Sequence, residues 1–435
     1  MTAPARTLAF SPSDLSAYLA CPHLAALSLE VKLGKLVEPT RDYASGDLIR
    51  RKGEQHEALY LESLRDAGRS VVEIDFRSDF DWHRAAADTE RAIRDGADVV
   101  YQAVFVDGDW RGFADFVERQ EDGSYEVVDT KLARHAKPSH IFQLCFYSSA
   151  LGRIQGREPQ RMHLVLGDGR RETLLVSEYD AYYRRIRDEF RAGAEAGFPG
   201  TKPIPCAHCA LCAWQEACEK QWDDEDSLFL VAGITRKQVE RIEAAGVTTL
   251  AALSGRVEPV DKVAEEQLAK LREQAELQHY SRTNDGKLAH RLLATDEKHG
   301  FGLLPPPDDA DVYFDIEGDP FYSSDGSLEY LFGVTYREDG ERRFRAFWAR
   351  NELEEKTAFE ELVAWIVARR TLHPGLHVYH YANYERAALQ RLMQKHGACE
   401  DEVDDLLRKH VLVDLYQVVR QALRLSLPSY SLKKV

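Results

Sequence analysis

The sequence predicts a mixed α/β chain in which two sheet-bearing domains flank a helical segment. Three observations carry that prediction. Between residues 46 and 194 the hydrophobic period alternates between about 3.6 and two, in the order helix, three strands, helix, strand. A second alternating stretch opens at 311, behind the proline-rich break Gly302-Leu303-Leu304-Pro305-Pro306-Pro307-Asp308-Asp309. At 435 residues the chain is also too long for one ordinary core. The expected division is a domain over 1–222, a helical region over 223–285, a linker over 286–310 and a second α/β domain over 311–435.

Ser11-Pro12-Ser13-Asp14 has the composition of a helix start, with Ser11 as N-cap, Pro12 in the first turn and Asp14 closing the cap. Helical spacing then continues through Leu15, Tyr18 and Leu19 to Leu29. A helix over 46–67, a strand over 71–76 and a helix over 83–94 follow. Residues 99–106, 112–119 and 125–133 alternate as strands, turned by Asp107-Gly108-Asp109 and by Glu121-Asp122-Gly123-Ser124. A helix over 139–151, a hairpin of 161–166 and 172–177 about Gly167-Asp168-Gly169, and a helix to 194 complete the first domain. Residues 231–253 read as two short helices around Ala245-Gly246-Val247. Past the proline break, strands are expected over 311–316, 330–336, 342–348, 376–381 and 411–415. One helix is expected over 352–370 and another before the last strand. The chain stops at Ser431-Leu432-Lys433-Lys434-Val435 with no glycine cap or polar tail, the pattern of a domain cut before its end.

Composition narrows the class. With 44 % apolar and 30 % charged residues, this is a soluble globular chain. No uncharged apolar run reaches the roughly 18 residues a membrane helix needs, so no membrane partner is expected. Pro12 and Asp14 interrupt any signal-peptide core, and Asp14 argues against Tyr18-Leu19-Ala20-Cys21 as a lipoprotein cleavage site. The cytoplasm is the expected compartment. A net charge of −16 speaks against a general polyanion binder, but local Lys and Arg clusters, not the total, set nucleic-acid affinity, so the balance decides little. Four of the seven cysteines fall in Cys206-x2-Cys209-x2-Cys212-x5-Cys218. Clustered thiols in a reducing compartment read as metal ligands, and this spacing suits zinc or an iron–sulfur centre.

The chemistry-bearing pattern is Asp115 on one strand and Asp129-Thr130-Lys131 on its hairpin partner. Period two places Asp129 and Lys131 on one face. Phosphodiester hydrolysis uses a hard divalent cation, Mg²⁺ or Mn²⁺, held by carboxylates, and a lysine beside it can orient water and offset charge. Alone, Asp-x-Lys also fits a solvated strand. Here both strands look buried and end in the charges, and burying such charges unpaired is costly.

With Gly53-x-x-His56, Gly112-x-x-Asp115, Asp129-Thr130-Lys131 and Gln143-x-x-x-Tyr147, the chain resembles the RecB-like branch of PD-(D/E)xK nucleases, which includes the AddB nuclease domain and CRISPR-adaptation exonucleases. The resemblance implies a restriction-endonuclease-like core. It makes His56, Asp115 and Asp129 ligands of Mg²⁺ or Mn²⁺ and Lys131 the catalytic lysine, with Gln143 and Tyr147 supporting on the DNA side. It further implies a 4Fe–4S cluster on Cys21, Cys209, Cys212 and Cys218. Cys206 is then a spare thiol or a substitute for Cys21, while a self-contained zinc knuckle on the four clustered thiols is the alternative. Cys145 and Cys399 are expected in cores.

Residues 233–250 look like a helix-hairpin-helix, which offers backbone amides to phosphates. Asp315-Ile316-Glu317, ending an apolar strand, resembles the first motif of RNase H-like, DEDD-type exonucleases. There the acids share a metal pair. Glu385 stands at the second acidic motif, Asp414 is a structural candidate, and a final acid would lie beyond Val435, which leaves open an inactive domain. The whole order resembles bacterial RecB-like nucleases fused to a YprB-like, RNase H-like domain. Longer members continue into a superfamily 1 helicase, which implies a helicase module in cis or in trans. The expected function is a Mg²⁺- or Mn²⁺-dependent deoxyribonuclease acting as an exonuclease on single-stranded DNA or DNA ends, in repair, recombination or defence. The alternative is a non-catalytic DNA-binding adaptor with a structural zinc site.

Overall fold

The computed structural model describes residues 8–40, 44–75, 81–256, 258–320, 322 and 327–435. The chain divides into two compact units that change over between Glu219 and Lys220.

The first unit opens with α1 (Pro12–Ala20) and α2 (Pro22–Lys32), followed by α3 (Ala44–Asp66), β1 (Val71–Glu73), α4 (Trp82–Arg94), β2 (Val99–Asp107), β3 (Trp110–Arg119) and β4 (Tyr125–Lys131). Next come α5 (Pro138–Gln155), β5 (Arg161–Leu166), β6 (Arg171–Leu175), α6 (Val176–Ala196) and α7 (Gln215–Asp224), the last running across the change-over. The six strands form one sheet in sequence order, with β1–β2 and β4–β5 parallel and the other pairs antiparallel. Both sheet faces are covered. Leu61 and Leu64 of α3 pack with Val99, Phe116, Val128 and Val165, while α1, α5 and α6 bury Leu144, Tyr183 and Phe190 with Val104, Val117 and Val127. That double cover explains why β4 is buried almost throughout instead of alternating between buried and exposed positions.

One expectation needs correcting. The helical spacing from Leu15 to Leu29 belongs to two helices, broken at Cys21, whose backbone is extended (φ −160°, ψ 109°). Pro22 explains the break, because its ring disfavours helical backbone in the preceding residue, while Pro itself is at home in the first turn of α2. The cap at Ser11 forms as expected, with reciprocal bonds between Ser11 and Asp14. The last residue of the strand expected over 71–76 lies outside the described residues.

The second unit begins with α8 (Arg236–Ala244), α9 (Leu250–Ser254) and α10 (Glu265–Thr283), packed through Val239, Ile242, Leu250, Leu253 and Leu271. Gly246 sits in the hairpin at φ +82°, a left-handed backbone that glycine adopts without strain. The stretch 286–310 contributes β7 (His290–Leu292). It is followed by β8 (Val312–Asp319), β9 (Leu328–Glu338), β10 (Glu341–Trp348), α11 (Glu352–Leu372), β11 (Val378–His380), α12 (Tyr384–His396), α13 (Glu400–Arg408), β12 (Leu412–Asp414), α14 (Leu415–Ala422) and β13 (Leu423–Leu425). The main sheet has the order β10-β9-β8-β11-β12, with β8 to β10 antiparallel and β11 and β12 parallel to β8. Helices α11 to α13 bury one face through Phe359, Leu362, Leu389 and Leu406. β13 returns to pair with β7. Among the described residues no helix is long and apolar enough to cross a membrane.

Candidate functional site

The β3–β4 hairpin brings Asp115, Asp129 and Lys131 together. Thr130 fixes Asp115, its backbone N–H and its hydroxyl both donating to Oδ2, at 2.7 and 2.8 Å. Asp129 is fully buried, and its carboxylate oxygens have no hydrogen-bond donor beyond the Lys131 ammonium, which stands in ion-pair contact with Oδ2. Burial, then the neighbouring Asp115 charge, pushes Asp129 well above the usual carboxylate range. Burial works to lower Lys131, but Asp129, Asp115 and Glu57 outweigh it, so the ammonium is held charged. On α5 the Gln143 amide donates to the Tyr147 hydroxyl at 3.2 Å, and burial with the nearby Asp129 charge pushes that phenol up.

The spacing Gly112-x-x-Asp115 has a packing reason. A Cβ on Gly112 would stand 2.9 Å from the Tyr147 ring and 3.2 Å from that of Phe146. The glycine lets α5 lie close over β3, which carries Tyr147 to Asp129. Gly112→Ala is therefore expected to destabilise the first unit by about 1–3 kcal/mol through overpacking, measured by urea unfolding.

Helix α3 supplies a residue that the spacing did not single out. His56 places Nε2 3.1 Å from the Val165 carbonyl, so that nitrogen donates, and Nδ1 has no hydrogen-bond partner among the described residues. Its neighbour Glu57 lies close enough to feel the Asp115 charge and to help hold Lys131 charged. Burial, then Asp115, raises its carboxyl. Gln102 donates to Glu57 from the middle of β2, at φ +53°, where the ladder skips the position opposite Asp115. Left-handed backbone inside a strand is uncommon outside glycine and marks a position over-determined by its surroundings.

The clustered thiols lie near one another. Cys206 and Cys209 have Sγ atoms 3.8 Å apart, and the Cys206 amide donates to the Cys209 sulfur at 3.3 Å. Cys21, at the α1–α2 elbow, lies close enough to raise both Cys209 and Cys218. The Cys218 thiol is pushed up to about 11 by burial first, then by Cys212, Cys21 and Cys209. All seven cysteines are free thiols. Cys145 is in the core, 4.0 Å from the Met162 sulfur, whereas Cys399 is only half-buried, at the N-terminus of α13.

In the second unit, β8 carries Asp315 and Glu317 on its outward-facing positions and the first turn of α12 brings Glu385 to them. Burial, then a hydrogen bond and the charge of Glu385, raises Asp315. Glu385 is 4 % exposed and leaves Oε2 buried without a donor, with His380 Nδ1 at 3.5 Å and pointed instead at the Ala382 carbonyl, 2.6 Å away. A cleft of about 410 Å³ opens over Asp315 and Glu317. Asp414 is structural: its Oδ1 accepts from the amides of Ala382, Tyr416 and Gln417.

Among the described residues, no three or more His, Cys, Asp or Glu side chains stand together so that they could hold a metal ion. What the three sites do present is the donor chemistry. Hard carboxylates with orphaned buried oxygens, at Asp129 and at Glu385, suit Mg²⁺ or Mn²⁺. Thiols grouped as Cys206, Cys209, Cys212 and Cys218 are the donor type of a softer, thiolate-binding centre.

Residues 9–219 match the PD-(D/E)XK nuclease superfamily and residues 312–435 match the RNase H superfamily. No curated protein matches. Among solved structures, the one described as the crystal structure of SSO0001 is 13 % identical, covering 50 % of this chain and 89 % of its own, at a TM-score of 0.23, a likeness too slight to carry an argument. The chain is a fusion of a PD-(D/E)XK nuclease superfamily domain and an RNase H superfamily domain, nuclease-like, with nucleic acid as its class of substrate.

Proposed function

We propose that this protein is a Mg²⁺- or Mn²⁺-dependent deoxyribonuclease, acting from ends on single-stranded DNA in repair, recombination or defence, with the β3–β4 hairpin as its principal site. The observation that carries the reading is Asp129: a fully buried carboxylate with no donor but the charged Lys131 ammonium, and with the Asp115 carboxylate beside it. Such a group is costly unless a cation completes its surroundings.

Asp115, Asp129 and Glu57, with Nδ1 of His56, are the residues that would hold the ion. When bound, it supplies charge to the phosphate and a more acidic water. Lys131 keeps a proton and offers its ammonium to a phosphate oxygen at the same point. Thr130 prevents Asp115 from turning away, and the Gln143–Tyr147 pair presents a hydroxyl beside Asp129. Asp315, Glu317 and Glu385 form a second proposed metal site of the same chemistry. Cys21, Cys209, Cys212 and Cys218 would hold a 4Fe–4S cluster, with Cys206 spare beside Cys209. A helicase module, in cis or in trans, would supply the strand.

The test is cleavage of end-labelled single-stranded DNA with manganese, with magnesium and with chelator. Metal-dependent shortening that Asp115→Ala removes, without change in circular dichroism, is the expected result. Binding without cleavage in either metal would leave a non-catalytic adaptor instead. Iron and sulfide are expected in anaerobically purified protein at about one cluster per chain, and Cys218→Ser is expected to lose both. Zinc in their place would overturn the cluster assignment and leave the hairpin untouched.

A further inference from the structure

A larger cleft of the second unit belongs to neither carboxylate site. It measures about 860 Å³ and lies between α8, α10 and α14. Its walls carry three cations, Lys270, Arg420 and Arg424, and a single carboxylate, Asp414, whose Oδ1 is already taken by three backbone amides. Lys270 and Arg424 have outer neighbours, Glu266 at 2.6 Å and Glu273 at 4.0 Å. Arg420 has no carboxylate within 4 Å among the described residues, and its guanidinium lies over the Tyr416 ring, 5.4 Å from the centroid.

In a chain of net charge −16, three cations on one concave, amide-rich wall, Arg420 among them without a carboxylate partner among the described residues, make this wall locally less negative than the whole. Phosphate is the ligand chemistry that fits it. Gln267 and Gln417 add uncharged donors, and Tyr416 offers a ring on which a base can lie. The cleft also adjoins the acidic one. Tyr381, which lines the cleft over Asp315, packs its ring 5.5 Å from that of Tyr416, and its hydroxyl donates to the Tyr430 carbonyl at 2.6 Å.

We propose that this cleft is the groove by which one nucleic-acid strand enters the second unit, its phosphates held by Lys270, Arg420 and Arg424 and a base against Tyr416, on the way to Asp315. Only the destination rests on the reading of Asp315, Glu317 and Glu385 as a nuclease site; strand binding in the groove does not.

The experiment is photo-crosslinking of the full chain, in chelator, to single-stranded oligonucleotides carrying iodinated uracil. Deoxyribose and ribose versions of one sequence are compared, and adducts are mapped by peptide mass spectrometry. Adducts on peptides holding Tyr416 or Tyr430, from either sugar, are expected. Lys270→Glu with Arg420→Glu is expected to remove them, weaken binding at least tenfold and lower the salt dependence by about two counterions. No adduct on those peptides, or unchanged affinity and adducts in the double variant, would overturn the groove. Chelator stops turnover, so the adducts report the groove alone. Whether Asp315 and Glu385 cut is read separately, from cleavage in manganese.

Discussion

Asp129→Asn is expected to lower cleavage of single-stranded DNA by about 10²–10³-fold or more, and yet to raise the thermal stability of the metal-free protein at alkaline pH. Both effects come from the same carboxylate. Burial and Asp115 raise its folded-state pKa above the unfolded value of about 3.9. A raised carboxyl contributes stability that is fully present below the unfolded pKa and is lost as pH rises through the folded one. The wild type should therefore lose stability between about pH 4 and the alkaline range, by at most about 1.4 kcal/mol for each pH step of one, and the amide should flatten that slope. In a domain of this size each kcal/mol is worth about 2–4 °C. Manganese should stabilise the wild type more at about pH 8.5 than at about pH 5, because the ion competes with the proton for Asp129, and should do little for the amide. A variant that cleaves normally, or melts below the wild type at about pH 8.5, would remove Asp129 from the site.

The second large effect is structural. Glu118, 3 % exposed, sits on β3 beyond Asp115 and ties three elements together. It accepts from the Tyr60 hydroxyl of α3 at 2.7 Å, from Arg69 at 2.8 Å and from Arg171 of β6 at 3.2 Å. Glu118→Ala leaves two guanidiniums and a half-buried phenol facing a hole. Removing one partner of a buried pair costs about 3–5 kcal/mol; because Arg69 and Arg171 keep 26 % and 33 % of their side-chain surface in water, the low end is expected, near 3 kcal/mol. Urea unfolding measures it. Loosening α3 also frees Glu57, so activity should fall before the domain unfolds. Glu118→Gln keeps an acceptor for Tyr60 and should lose less of both. Equal stability in all three proteins would show that α3 is held by Leu61 and Leu64 alone.

The β3–β4 hairpin was legible because a two-residue period leaves no choice of face: once 125–131 is a strand, Asp129 and Lys131 must project together. The same holds for Asp315 and Glu317 on β8. The thiols were legible from spacing, and their nearness to Cys21 from the resemblance. Helix α3 was harder. His56 and Glu57 are adjacent, about 100° apart around the helix, and which of them meets the sheet is set by how Leu61 and Leu64 dock, a tertiary fact. Gln102 was hidden for a similar reason, since nothing local in 99–107 asks for a left-handed residue opposite Asp115. The strands β7 and β13 have three residues each and pair across more than a hundred, so neither alternation nor turn chemistry announces them. The break at Cys21 could have been read from Pro22 and was obscured by helical spacing that runs through both α1 and α2.

That elbow has a consequence for how the protein is made. Its sulfur lies within electrostatic reach of thiols encoded about 190 residues later, the proposed fellow ligands Cys209 and Cys218. At about 5–20 residues per second, a nascent chain carries an unmatched thiol for about 10–40 s before the ribosome delivers them. Throughout that interval the residue is open to oxidants and to stray metals. Synthesis under oxidative stress should therefore damage newborn chains far more than finished ones.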